Sequence, residues 1–106
     1  MRSADQTIVQ HCREVLSRLY GERLKGLRIY GSSARGDADE ESDIDLMVLL
    51  AGPVDVAREI RRIWDVLYPV QLESARAISV IPADAEGYER GICQLYRNVR
   101  REGVPA

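Results

Sequence analysis

The sequence predicts an α/β domain with the element order αβαβα. Three observations predict it. A segment of helical period opens the chain, short apolar runs alternate with further helical segments, and glycine or proline stands at most junctions. The 106 residues suffice for one modest core, and no repeat or linker divides them, so residues 1–106 are expected to fold as a single domain.

Residues 4–20 read as a helix because Ile8, Cys12, Val15, Leu16 and Leu19 recur at helical spacing, with Gln10, Arg13, Glu14 and Arg18 outside and Gly21 as the stop. Gly26 to Tyr30 reads as a short strand ending at Gly31, followed by one helical turn at 32–35 and a polar loop at 36–42. Asp43 to Leu50 reads as a second strand, nearly all apolar after Asp45, as a central strand covered on both faces requires. Gly52-Pro53 breaks it. A helix starting at Pro53 or Asp55 should run to about Leu67, with Val56, Ile60, Ile63 and Leu67 inward and Arg58, Arg61, Arg62 and Asp65 outward. Tyr68-Pro69 should end it, since a residue before proline avoids the helical region. Ala75 to Ile81 reads as the third strand, closed by Pro82. Asp84 can cap a last helix over 85–101, in which Gly91 is the weak point.

Composition narrows the function. A hydrophobic fraction of 45% and a charged fraction of 30% suit a soluble protein, and a net charge of -2 excludes a globally basic nucleic-acid binder. No apolar run is long enough to span a membrane and the N-terminus lacks a signal-peptide core, so a cytoplasmic protein is expected. Cys12 and Cys93 read as reduced, partly buried thiols. His11 has no companions at zinc-ligand spacing.

The chemistry concentrates in Gly31-Ser32-Ser33-Ala34-Arg35-Gly36 and in Asp43-Ile44-Asp45. Residues two apart on a strand share a face and lie roughly 6.6 Å apart at Cα, so both carboxylates can lean onto one Mg²⁺. Without a cation they repel, by about 3 kcal/mol at 6 Å and an effective dielectric near 20. A solvated strand end is the plain alternative. The glycine-serine turn adds backbone N–H groups that can hold phosphate, with a hydroxyl from Ser32. Arg35 fits either a phosphate or the acidic loop.

Together these residues resemble the minimal nucleotidyltransferases of the DNA polymerase β superfamily, whose signature is Gly-Ser, ten residues, then Asp-x-Asp. Gly31-Ser32, residues 33–42 and Asp43-Ile44-Asp45 match it without a gap. Leu95-Tyr96-Arg97-Asn98-Val99-Arg100-Arg101-Glu102-Gly103-Val104 is also similar to the ending of the small stand-alone members. The resemblance implies the nucleotidyltransferase fold, a short mixed β-sheet with helices packed on one side. It implies ATP as substrate, Gly31 and Ser32 on the β and γ phosphates, Asp43 and Asp45 as catalytic Mg²⁺ ligands, and AMP transfer to a hydroxyl. It further implies a HEPN-domain toxin as partner, with this chain as a type VII-like antitoxin modifying a tyrosine.

One departure opposes this. Active members often carry a third carboxylate on the next strand as general base, and here Ser79 stands near that place. The alternative is therefore a weak or inactive nucleotidyltransferase-fold module that neutralises its partner by occlusion. Arg90, Arg97 and Arg101 should share one face of the last helix, with Arg100 beside them, either as a solvated face or as a contact for an acidic partner. The acidic loop at 37–41 would repel nucleic acid from the site mouth, so direct nucleic-acid binding is not expected.

Overall fold

The computed structural model describes residues 3–35 and 42–106, apart from the side chain of Arg35. The acidic loop lies outside the described residues. Helix α1 (Ser3–Tyr20) passes through a 3-10 turn at Gly21–Arg23 into β1 (Leu24–Tyr30) and a short α2 (Gly31–Arg35). After the loop come β2 (Ile44–Leu50), α3 (Val56–Glu73), β3 (Ile78–Asp84), α4 (Ala85–Arg90), α5 (Gln94–Glu102) and a two-residue β4 (Val104–Pro105). The first five elements follow the expected αβαβα order, β3 and the last helical segment follow as expected, and the structure adds a split of that segment into α4 and α5 and the short β4.

The sheet is mixed, in the order β3-β2-β1-β4. Strand β1 runs antiparallel to β2 and β4, whereas β3 runs parallel to β2. The alternation of β2 explains its central place. Ile44, Leu46, Val48 and Leu50 face one side and join residues of α1 and α3 in the main core. Met47 and Leu49 face the other and meet Ala83, Tyr88 and Val99. Helices therefore cover both faces: α1 and α3 on one, α4 and α5 on the other. The expectation of helices on one side is corrected, because an apolar stripe on each face of β2 needs its own cover.

Four further expectations are corrected. Helix α3 continues through Pro69 to Glu73. An interior proline costs about 3 kcal/mol, but Val70 beyond it is buried and Gln71 ties the last turn to β3. Its Oε1 accepts from Ile78 N at 2.7 Å and its Nε2 donates to Arg76 O at 3.0 Å. The inward stripe of α3 contains Glu59, Ile63, Leu67 and Val70, and Val56 is exposed, so the helix is rotated from the frame its apolar residues suggest. Strand β3 runs through Pro82, which an edge strand tolerates because it has a ladder on one side only. The last helix breaks at Gly91, which adopts φ +63 and caps α4 with its N–H on Gly87 O and Tyr88 O. Arg90 and Arg97 thus lie on different helices. Arg97 donates to Gly91 O at 2.8 Å and Arg101 to Asn98 Oδ1 at 3.0 Å.

Strand β4 is an addition that two residues could not signal; Val104 pairs with Ile29 and Pro105 with Arg28. Cys12 is buried, which pushes its thiol up to about 11 against its backbone hydrogen bond. Cys93 is exposed rather than partly buried, and both thiols are free.

Candidate active site

The site forms where β1 ends and β2 begins. Tyr30, Asp45 and Ser79 lie side by side on β1, β2 and β3, paired in register across the sheet. Register neighbours share a face, so the three side chains stand in one row on the α4/α5 side. Asp45 is half-buried. Burial first, and the Asp45 charge second, push the Tyr30 hydroxyl above its ordinary value.

Gly31 follows at the N-terminus of α2 with φ +69, a conformation that disfavours any side chain. A Cβ there would stand 3.3 Å from Asp45 Cγ and would collide with its Oδ2. The Asp45 carboxylate therefore lies directly against the Gly31 backbone, which only glycine permits. Ser32 is half-buried on α2. Asp43 precedes β2 by one residue and is exposed, so the strand begins later than expected. Asp43 is nonetheless held through its backbone. Ser33 Oγ donates to Asp43 O at 3.4 Å, and Ile44 N donates to Ala77 O at 2.8 Å. The structure thus brings Gly31 and Asp45 into contact and links Asp43 to α2. The Arg35 side chain falls outside the description.

Arg76 is the residue that sequence reasoning missed. Its Nε donates to Ser42 O at 2.8 Å and its Nη1 to Asp5 Oδ2 at 2.9 Å. Neither partner is near it in sequence, so no local signal could have marked it. Beside Gly31, a small cleft of about 170 Å³ is lined by Tyr30, Leu95, Asn98, Val99 and Glu102. It is smaller than the 300 Å³ or so at which ligand pockets begin, so a nucleotide would spread beyond it. Larger hollows lie along α1 and around Arg23 and Arg62, and neither Asp43 nor Asp45 lines them.

A glycine turn seated on a strand carboxylate, with a second aspartate pinned to the same short helix, fits the nucleotidyltransferase domain, whose family model matches residues 9–91. The chain belongs to that family. This nucleotidyltransferase is 36% identical over 85 residues to a Methanocaldococcus jannaschii protein to which protein adenylyltransferase activity has been ascribed, covering 79% of this chain and 79% of that protein. A solved structure assigned as a minimal nucleotidyltransferase is 27% identical, with a TM-score of 0.57, over 95% of this chain and 94% of the other. A toxin-antitoxin crystal structure with AMP-PNP is 20% identical, with a TM-score of 0.55, over 98% of this chain and 72% of that one. At that identity the likeness concerns the fold.

The donors expected from the sequence are the carboxylates of Asp43 and Asp45. Among the described residues no group of three or more His, Cys, Asp and Glu is placed to hold a metal. Structural zinc needs four closed ligands and does not fit. Magnesium does fit, since it takes one or two carboxylates and completes its shell with water and substrate phosphates. No described helix is long and apolar enough to cross a membrane.

Proposed function

We propose that this nucleotidyltransferase is a Mg²⁺-dependent protein adenylyltransferase, acting as one domain over residues 1–106 in the cytoplasm. It would transfer AMP from ATP to a tyrosine hydroxyl of a HEPN-domain toxin and so serve as an antitoxin. The observation that carries the reading is the seating of Asp45 on Gly31. A phosphate cradle and a metal-binding carboxylate must adjoin for this chemistry, and here no side chain separates them. The activity ascribed to the M. jannaschii relative supports AMP transfer, and the toxin-antitoxin neighbour with AMP-PNP supports a toxin partner.

In this reading Gly31 N–H and the Ser32 hydroxyl bind the β and γ phosphates. Arg35 adds a charge to them. Asp43 and Asp45 hold magnesium, which when bound offsets charge on the transferring and leaving oxygens. The acceptor oxygen forms a bond to the α phosphorus, the bond to pyrophosphate breaks, and the hydroxyl proton passes to water, since Ser79 beside Asp45 is no base. The small size of the described cleft beside Gly31 supports an acceptor supplied by a partner.

Ser79 favours a second reading. It occupies the register position beside Asp45 where a basic carboxylate would serve, and serine cannot take a proton near neutral pH. A binding module that acts by occlusion follows if transfer is absent. Incubation with labelled ATP, Mg²⁺ and the product of the neighbouring toxin gene separates the two. The first reading expects label on the toxin and a loss of about 10²–10³-fold in Asp45→Asn. No label, together with full protection of cells by an Asp43→Asn, Asp45→Asn double variant, overturns it in favour of occlusion.

A further inference from the structure

An exposed carboxylate can hold a cation well only if the chain beneath it is fixed. Asp43 lies outside the β2 ladder, yet three polar backbone atoms around it are engaged. Its own carbonyl accepts from Ser33 Oγ, the next N–H donates to Ala77 O, and the preceding carbonyl, of Ser42, accepts from Arg76 Nε. Arg76 makes the widest of these connections. Its Nη1 reaches Asp5 in the first turn of α1, and its Nη2 stands 3.5 Å from Ser33 Oγ on α2. The side chains of Arg76 and Asp5 are each only 9% exposed.

Such a buried ion pair adds little stability over well-packed apolar residues of the same volume. What arginine adds is a rigid planar fork whose N–H groups aim at separate targets. Here the targets are α1, α2 and the peptide leading into Asp43. We propose that Arg76, anchored by Asp5, is a positioning residue that holds Asp43 in register with α2 for divalent-cation binding. The proposal rests on the reading of Asp43 and Asp45 as the metal pair. Among the described residues Arg76 bonds Ser42 O, Asp5 and Ser33 Oγ, so it acts on the backbone before Asp43 and on the serine that holds the backbone after it.

The test is Mn²⁺ binding by the full chain, followed by the electron paramagnetic resonance of free manganese, without acceptor. Arg76→Lys keeps the positive charge beside Asp5 and loses the fork. It is expected to weaken Mn²⁺ binding by about 10–100-fold, the usual effect of removing an outer-sphere partner. Amide exchange should quicken at Asp43 and Ile44 while Leu46 to Leu50 stay protected. Ser33→Ala, at a half-buried surface position, should weaken binding in the same direction by less, and it decides alone if Arg76→Lys does not fold. Unchanged Mn²⁺ binding in the folded variants overturns the proposal, as does weakening that comes only with faster exchange throughout the sheet. The metal reading fails differently: the unaltered chain would then bind Mn²⁺ no better than Asp45→Asn.

Discussion

At one end of the β1–β2 pair a carboxylate is sealed in; at the other, roughly 20 Å away along the strands, one carboxylate is exposed and a second is half-buried. Glu59 is 3% exposed. It accepts from Tyr20 Oη at 2.9 Å, Arg23 Nη1 at 2.8 Å and Arg62 Nη1 at 3.1 Å. Arg23 also donates to Ala51 O and Pro53 O, so the knot ties the start of β1 to the turn after β2. At the far end Asp43 is exposed and Asp45 is half-buried against a glycine. Both arrangements place acid beside a strand end. Two guanidiniums and a phenol balance the first from within. In the second, hydrogen bonds hold the backbone around Asp43, whose exposed charge serves a cation in the proposed function. The difference teaches that a carboxylate buried among guanidiniums, as Glu59 is, belongs to the fold, whereas the exposed Asp43 is the one open to a ligand, as the proposed function requires.

The sharpest way to break the comparison is to neutralise one acid at each end. Glu59→Gln should destabilise the fold by about 2–3 kcal/mol. That is below the 3–5 typical of a fully buried pair, because the Arg23 and Arg62 side chains are 31% and 39% exposed. For a domain of this size the loss corresponds to roughly 10–20 °C in Tm. Nucleotide transfer measured well below the new Tm should be unchanged. Asp45→Asn should do the reverse, holding Tm within a few degrees while transfer falls. Urea unfolding and transfer rates on both variants check this, and equal effects on both quantities would erase the distinction.

Gly31→Ala sharpens the comparison with a smaller effect. The left-handed backbone costs a non-glycine residue about 1–2 kcal/mol, and the new Cβ would push Asp45 aside. Stability should fall by about that amount, and transfer should fall further than stability alone explains. Gly91→Ala is the control. It carries similar strain at φ +63, and its Cβ would meet Arg97 rather than an acid, so stability should fall with transfer preserved.

Much of this was legible because the signals are local. The α1 stripe, the apolar run of β2 and the turn glycines each dictate a few φ/ψ angles or one face, and the structure follows them, with Val9 and Tyr20 buried on α1 where Val15 and Leu19 are half-buried. The spacing from Gly31-Ser32 to Asp43-Ile44-Asp45 was legible for the same reason. What escaped depends on distant partners. Glu59 is buried only because Tyr20 and Arg23 arrive from α1 and the turn after it. Pro69 stays helical only because Val70 and Gln71 find β3. Arg76 finds Asp5, 71 residues earlier in the chain. Charged residues and prolines read as surface or punctuation until the tertiary fold supplies their partners.

The smallest effect concerns pH, and the shifts that carry the prediction lie in the sealed end and the core, with Tyr30 and Tyr96 raised by burial as well. Burial alone would raise the Glu59 carboxyl, but hydrogen bonds from Arg23 and Tyr20 and the charges of Arg23 and Arg62 hold it below the usual carboxylate range. A depressed folded value gives stability that is present above the ordinary value of 4.5 and is lost as pH falls through the folded one. Tyr20 moves the other way, from 10 to about 12, by burial first and then by its hydrogen bond to Glu59 and that residue's charge, against Arg62 and Arg23. Its contribution is complete below pH 10 and is lost as pH rises through about 12. Cys12 adds an earlier alkaline loss, from 9 to about 11. Urea midpoints measured across pH should therefore fall at both extremes, and Tyr20→Phe should cost about 1–2 kcal/mol at neutral pH. In that variant the fall between pH 10 and 12 should lose the Tyr20 share, with a slope smaller by under about 1.4 kcal/mol per pH unit. The Cys12 share should remain, and the acid fall should become shallower because Glu59 loses one donor. An alkaline slope equal to that of the unaltered chain would show that the phenol, although buried, does not couple its ionisation to folding.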